Sequence, residues 1–513
     1  MATVADMITA EFGSVPDLVR QGAAEQPDKL AVVIDDRQLT RAAFAAFVDR
    51  IAASLQRDGV RVGDAVSVCA GTSLEYAALY FGILRAGAAT APIAPSVTSE
   101  QMAAMIVDSG SRLAFLDAGT RETLGTHGGA LAAEVVALDG SPIGRAFGDW
   151  LAPEGAVPAD VEIAPDGPFN VIYSSGTTGI PKGIVHSNQM RWRQIAMGGN
   201  PAYAEAVTIN STPLYSNTTL VSFLPTIAQG GTAVLMKKFD ARRFLELAER
   251  TRATHTMLVP VQYKRIMADP EFDRFDLSAF ELKTCTSAPF AAELKRDVLN
   301  RWPGALVEYY GLTEGGCSFM LKAHENPDKL HTVGQPMPGH EAQMIDDEGN
   351  VVPRGAAGEI VGRSPTMMSG YLGRDDKTRE MHWYDADGQL WYRHGDVGRF
   401  DEDGFLILTD RKKDMIISGG FNIFPSDIEA VARECPGVED ISVVGVASED
   451  WGETPVAFFV GSAAPSDVIA FTNGRVGKTQ RLSDALAIEE LPRSAIGKVL
   501  KRELRDRYQD RTD

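Results

Sequence analysis

Apolar residues recur along the first third of the chain in two alternating rhythms. The runs LAVVI (30–34), AVSVCA (65–70), ATAPI (89–93) and RLAFLD (112–117) are short and nearly continuous, the pattern of strands buried on both faces. Between them Phe44, Phe47, Val48, Ile51 and Leu55 follow Thr40 at helical spacing, which predicts a helix opened by that threonine. A second helix is predicted from Ser73 to about Arg85, ended by Gly87, and a third from about Ser99. Strand–helix alternation of this kind predicts a parallel sheet with helices on its faces. The texture resumes at VTINSTPL (207–214), GGTAVLM (230–236), ATHTMLVP (253–260) and LKTCTS (282–287), carrying the α/β body past residue 320.

From about residue 330 the pattern changes to short alternating strands separated by the turns DEGN, ADGQ and DEDGF, as in a β-rich subdomain. Further on, GFLILT (404–409) and DMIIS (414–418) read as paired strands about a charged DRKK, followed by a helix from Pro425. A domain break is therefore expected near residue 410, with an N-terminal domain of 1–410, whose β-rich part covers about 330–410, and a C-terminal domain of 411–513.

Composition narrows the function. The 513 residues are 44% hydrophobic and 23% charged, which suits a large globular protein of two or three domains. With 50 Lys and Arg against 69 Asp and Glu, the formal charge of −19 argues against nucleic acid or an anionic membrane as the main partner. An anionic small substrate at a locally basic site remains compatible with it. The start, MATVADMITAEF, lacks the basic end and apolar run of a secretory signal, and YAALYFGIL (76–84) is too short to cross a bilayer. A cytoplasmic protein without integral membrane association is expected. Cys69, Cys285, Cys317 and Cys435 show no CxxC spacing and read as buried thiols.

Candidate chemistry begins at YSSGTTGIPKG (173–183), which follows the strand signal FNVIY and precedes a helix start near Ser187. Glycines that let the backbone approach phosphate oxygens, inward N–H groups, hydroxyls and a lysine make a phosphate-binding loop. The Walker spacing is absent after Gly176. A second glycine-rich stretch, NGRVGKT (473–479), has Thr472 where its first glycine would stand and reads as a surface turn. His340 and Glu341 begin a zincin-like pattern that Met344 ends.

The long loop closely resembles the signature of the adenylate-forming superfamily, which includes the acyl-CoA synthetases (AMP-dependent synthetases and ligases), the adenylation domains of peptide synthetases and the luciferases. The resemblance continues through LRAGAATAPIAP (84–95), YYGLTEGG (309–316), YRHGDVGRFDEDGFLILTDRKKDMIISGGFNIFPSDIE (392–429) and LPRSAIGKVLKREL (491–504), five blocks in the family's order. It implies a large N-terminal domain of stacked α/β sheets with a β-rich subdomain, then a small mobile α+β C-terminal domain. It also implies a two-step reaction with ATP, Mg²⁺ and coenzyme A, in which a carboxylic acid becomes an acyl-adenylate and a thiol then displaces AMP. By the same resemblance Ser174, Ser175, Gly176, Thr177, Thr178, Gly179 and Lys182 would hold the triphosphate, and Thr313 the α-phosphate. Glu314 would ligate Mg²⁺, Tyr310 would lie against the adenine, and Asp396 and Arg411 would reach the ribose. The plainer alternative is that Asp396 and Arg411 pair with each other in a turn. Lys498 would bridge the acid and the α-phosphate, Lys413 would be the hinge, and Ser418, Gly419 and Gly420 would line a pantetheine tunnel in a rotated state.

Three departures from the family pattern stand out. Ser216 occupies a position where histidine is common, Thr286, Ser287, Ala288 and Pro289 replace Gly-Gly-Ala-Pro at the adenine and acyl wall, and His394 replaces threonine beside Asp396. The acyl pocket is expected from Tyr215, Asn217, residues 259–263, Ser287 and the Gly311 backbone. No lysine, arginine or aspartate among them suggests a second substrate charge, so the expected acid is monocarboxylic, aromatic or of medium length. No carrier domain follows Leu504, which makes coenzyme A the simpler acceptor. A stand-alone adenylation enzyme serving a carrier protein is the alternative, a luciferase-like oxidation a more distant one, and a homodimer a compatible assembly. A nucleotide-sensing protein that had lost catalysis would be expected to carry damage at Thr313, Glu314 or Lys498, and all three are intact.

Overall fold

The computed structural model describes residues 2–125, 131–173, 181–411, 414–418, 421–448, 451–494 and 497–512. The alternation of the first third is present but divided between two sheets. Leu30–Ile34 forms a hairpin with Arg37–Thr40 and pairs on its other side, in parallel, with Thr232–Leu235 in a nine-stranded sheet. Ala65–Cys69, Ala89–Pro92 and Leu113–Leu116 pair in parallel within an eight-stranded sheet. Strands apolar on both faces fit either sheet, and the helices between decide the matter. Leu74–Arg85 buries every residue except Glu75, as a helix covered on all sides must. Arg41–Arg57, capped by the Thr40 hydroxyl, packs on it through Phe44, Val48, Ile51 and Leu55. One core thereby joins Val32 of the first sheet to Val66 and Val68 of the second.

Within the nine-stranded sheet, Val207–Asn210, His255–Leu258, Leu282–Cys285 and Ala305–Leu312 are parallel neighbours. Their carboxyl ends therefore line one edge. Open α/β sheets bind ligands in the crevice beyond such an edge, where the strands deliver their following loops together. Glu341–Ile345, Gly358–Arg363, Leu390–Phe400, His382–Tyr384 and Leu406–Arg411 form an antiparallel β-rich layer. A smaller C-terminal α+β unit follows, with Val438–Ser448 and Gly452–Gly461 as its longest strands and its own core of Ile416, Ile428, Val443, Phe459 and Val468.

GFLILT and DMIIS do not pair with each other, contrary to the expectation from sequence. Leu406–Arg411 pairs with Leu390–Phe400, whereas Ile416–Ser418 pairs with Phe421–Ile423 and meets Gly452–Gly461. Each has a partner in its own unit, and the charged DRKK segment links the two sheets. The four cysteines are free and buried. Among the described residues no helix is long and apolar enough to cross a membrane.

Candidate active site

Pro168–Tyr173 and Gly183–Ser187 form an antiparallel hairpin in the register Asn170↔His186 and Tyr173↔Gly183, so the residues that flank the glycine-rich segment stand opposite each other. Ser174, Ser175, Gly176, Thr177, Thr178 and Gly179 lie outside the described residues. Lys182 closes the loop, with its ammonium 4.2 Å from the centroid of the Tyr371 ring. The Tyr371 hydroxyl donates to Glu314 Oε1 at 2.8 Å. Burial, then the neighbouring Glu314 charge, push the Tyr371 phenol up, so it stays a proton donor at neutral pH. A cation, an aromatic face and a carboxylate thus stand in series, with the ring fixing the distance between the two charges.

Thr313 and Glu314 form the tip between Ala305–Leu312 and Gly315–Lys322. The two glycines after the tip are required by geometry. Gly315 has φ +90° and a Cβ there would come within 2.3 Å of the Thr366 carbonyl oxygen, while Gly316 has φ +83° and a Cβ there would meet His394 Nε2 at 2.9 Å. The Met368 N–H donates to the Glu314 carbonyl at 2.9 Å, and a ring nitrogen of His186 lies 2.7 Å from the Thr313 carbonyl oxygen. The tip is therefore held from both sides by its backbone.

Tyr310 donates its hydroxyl proton to Asp396 Oδ2 at 2.6 Å. His394 resolves into a supporting role: its Nε2 accepts the Cys317 N–H at 3.2 Å, so the proton sits on Nδ1, 3.4 Å from the Tyr310 oxygen. Burial pushes the imidazole down to about 4, against the opposing pull of Asp396. A neutral histidine here steadies the Tyr310–Asp396 pair without adding charge. Asp396 also stands opposite Arg411 in strand register; the Arg411 side chain lies outside the described residues, as do Lys413, Gly419 and Gly420.

Ser287, on the loop after Leu282–Cys285, has φ +83°, a left-handed conformation where glycine is the usual residue. Its hydroxyl shares a 2.6 Å hydrogen bond with the Thr218 hydroxyl. That bond joins the Ser287–Ala288–Pro289 loop to the start of the helix Asn217–Gln229, for which Ser216 is the N-cap residue. Tyr215 is half-buried beside this start, and Gly311 keeps exposed backbone at the end of its strand.

The fourth wall comes from the C-terminal unit. Arg493 is anchored by Asp440 Oδ2 at 2.6 Å and donates to the Gly497 carbonyl at 2.7 Å, while the Lys498 N–H donates to Ser494 Oγ at 3.2 Å. Gly497, at φ +80°, rests on the helix Pro260–Met267: a Cβ on it would lie 2.9 Å from Val261 Cγ1 and 3.9 Å from Val259 Cγ2. The loop carrying Lys498 thus touches the carboxyl end of His255–Leu258, a neighbour of the strand that leads to Ser287.

The structure brings together segments far apart in sequence: the hairpin with Lys182, the Tyr310–Glu314 tip, Asp396, Ser287 and the Lys498 loop. Sequence reasoning missed Tyr371, His186 and Arg191. His186 had a usable signal, a polar residue directly after the apolar Ile184 and Val185 of its strand. Arg191 had none that set it apart from Arg193, which is exposed while Arg191 is buried. Tyr371 is recruited by pairing of Gly370–Tyr371 onto Ile184 and Val185, a long-range contact.

The family model described as AMP-binding enzyme matches residues 19–372, and that described as AMP-binding enzyme C-terminal domain matches residues 427–498. Indoleacetate–CoA ligase of Aromatoleum aromaticum is 30% identical over 509 residues, covering 94% of this chain and 96% of its own. A fatty acid–[acyl-carrier-protein] ligase of Streptomyces coeruleorubidus is 30% identical over 513 residues, covering 95% of each. The crystal structure of ATP-bound MatB from Rhodopseudomonas palustris matches with a TM-score of 0.85 at 27% identity, covering 97% of this chain and 100% of that one.

Proposed function

The chain belongs to the AMP-binding enzyme family, and from that premise we propose that it is a carboxylic acid:CoA ligase acting on a monocarboxylic aromatic or medium-chain acid. In the first step a carboxylate oxygen attacks the α-phosphorus of ATP, the bond to the bridging oxygen breaks, and pyrophosphate leaves with acyl-AMP formed. In the second the coenzyme A sulfur attacks the acyl carbonyl, AMP departs and the thiol proton passes to solvent. Neither step needs a covalent enzyme intermediate, so the protein acts by positioning and by offsetting charge at phosphorus.

One observation carries the reading: the loop with Lys498 rests, through Gly497, on Val261 at the same sheet edge that bears Ser287 and the Tyr310–Glu314 tip. In this arrangement Lys498 would neutralise the carboxylate and α-phosphate oxygens as they approach. Lys182 and residues 174–179 would hold the outer phosphates, Thr313 the α-phosphate, Tyr310, Gly311 and residues 287–289 the adenine and acyl wall, and Asp396 with Arg411 the ribose. For Mg²⁺ the donor set fits: Glu314 has one oxygen engaged by Tyr371 and a second oxygen as a hard donor, and magnesium bound with a nucleotide takes one or two carboxylates, phosphate oxygens and water. Bound there, the cation would offset charge on the phosphates. A boundary near residue 410, with Lys413 as pivot, would let the C-terminal unit turn after pyrophosphate leaves, bringing Gly419 and Gly420 to a pantetheine path.

A carrier-protein acceptor is the second reading, favoured by the similarity to the acyl-carrier-protein ligase of Streptomyces coeruleorubidus. Pyrophosphate release measured over indoleacetate, ferulate, benzoate and octanoate, with and without coenzyme A, separates them. The ligase reading expects pyrophosphate with at least one acid and its thioester once coenzyme A is added. Pyrophosphate with thioester only on a carrier protein would overturn it.

A further inference from the structure

Behind the crevice lies a buried polar cluster centred on Arg191 and His186, two residues that none of these roles uses. Arg191, 1% exposed on the helix Asn188–Ala196, donates from Nε to Asn170 Oδ1 at 3.1 Å and from Nη1 to Gln194 Oε1 at 2.9 Å. Its Nη2 donates to His186 Nδ1 at 2.9 Å and to Asn217 Oδ1 at 2.6 Å. All of these acceptors are neutral, so among the described residues the guanidinium charge is held by dipoles. Burying a charge without a counter-charge costs several kcal/mol, about as much as many small domains gain in folding, and well-packed apolar residues would fill the space at lower cost. An arrangement retained at that cost calls for a role.

The hydrogen-bond chemistry fixes the state of His186. The Thr313 carbonyl, 2.7 Å from Nε2, can only accept, so Nε2 carries the proton; the guanidinium can only donate, so Nδ1 is bare. Asn170 Oδ1, 3.2 Å from Nδ1, is a second acceptor, and Arg191 bridges the two. Burial and the Arg191 charge both push His186 well below its ordinary range, which keeps this neutral tautomer. Each end of the cluster reaches a different substrate-facing segment. His186 and Asn170 face each other in the stem of the phosphate-loop hairpin. The Nε2 proton holds the Thr313 tip, and Asn217 opens the helix whose next residue, Thr218, bonds Ser287.

We propose that His186 and Arg191 are positioning residues that lock the nucleotide-facing Thr313 tip and the acid-facing start of the helix Asn217–Gln229 to a single buried guanidinium. Arg191 orients the imidazole, the imidazole sets the Thr313 carbonyl, and the same Nη2 sets Asn217. This rests on the reading of Thr313 as an α-phosphate contact and of Asn217 as part of the acid wall.

The test is ATP affinity by titration calorimetry, with thermal unfolding of each variant. His186→Leu keeps the volume and loses both hydrogen bonds; His186→Gln keeps a donor and an acceptor. The expected result is about tenfold weaker ATP binding for His186→Leu, the size of one hydrogen bond, and less than about threefold for His186→Gln, with melting temperatures alike. Arg191→Met is expected to weaken ATP binding and also to raise KM at least fivefold for the most active acid of the panel, whereas His186→Leu leaves that KM within twofold. Wild-type ATP affinity in folded His186→Leu, or equal loss in the Leu and Gln variants, would overturn the proposal. Should His186→Leu not fold, His186→Asn, too short to span both partners, takes its place with the same expected loss. Wild-type protein that binds ATP but releases no pyrophosphate with any acid would sink the ligase reading, while the affinity comparison still decides the role of His186.

Discussion

At the scale of single residues, two positions that depart from the family pattern, Ser287 and His394, are structurally employed. Ser287 holds a left-handed backbone that costs a non-glycine residue about 1–2 kcal/mol, and offsets it with a hydroxyl bond to Thr218 worth about 1 kcal/mol net. Ser287→Ala keeps the strain and loses the bond, whereas Ser287→Gly loses both. The alanine variant is therefore expected to be about 1 kcal/mol less stable than the glycine variant in urea unfolding. His394 gives a pH signature. Its buried imidazole titrates at about 4 in the folded protein against 6.5 unexposed to these surroundings, so the unfolded chain binds its proton first as pH falls. Stability is lost between about pH 6.5 and 4, by roughly 3 kcal/mol if the full shift is expressed. His394→Gln, which keeps a donor and an acceptor, is expected to lose less stability than wild type between pH 7 and pH 5, read from unfolding midpoints at each pH.

At the scale of elements, legibility followed the range of the contacts. The helices Arg41–Arg57 and Leu74–Arg85 were readable because their N-caps, Thr40 and Ser73, and their apolar spacing are local signals. Partnering of strands was not: Leu30–Ile34 joins Thr232–Leu235 two hundred residues away, and DMIIS pairs within the C-terminal unit, with Phe421–Ile423 and Gly452–Gly461, and not with GFLILT. Buried strands carry no local record of which sheet they enter. The site divides in the same way. Motif residues such as Tyr310, Asp396 and Lys498 were singled out through resemblance, while Tyr371 and Arg191 are defined by tertiary contacts and His186 left only the weak signal of a polar residue in a strand. The Lys498 loop offers a direct test of an element's geometry. Gly497→Ala meets both a positive φ and the Val261 methyl, so docking of the loop is expected to weaken by about 1–2 kcal/mol. Pyrophosphate release should fall about 5- to 30-fold, with thioester formation from supplied acyl-AMP changed much less; equal effects on the two would show that the contact does not serve adenylation.

At the scale of the whole molecule, two stacked sheets and their shared helices provide a rigid edge, and a smaller unit brings a lysine-bearing loop to it. The net charge of −19 makes this local supply of cations matter, since Lys182 and Lys498 would meet an anionic nucleotide inside an acidic protein. In the proposed reaction Lys498 serves the first half-reaction. The most direct measurement compares Lys498→Ala with wild type in the two halves separately: acid-dependent pyrophosphate release, and thioester formation from preformed acyl-AMP and coenzyme A. The account predicts that the first falls by at least a hundredfold while the second stays within a few-fold of wild type. Equal loss of both, or pyrophosphate release at the wild-type rate, would contradict it.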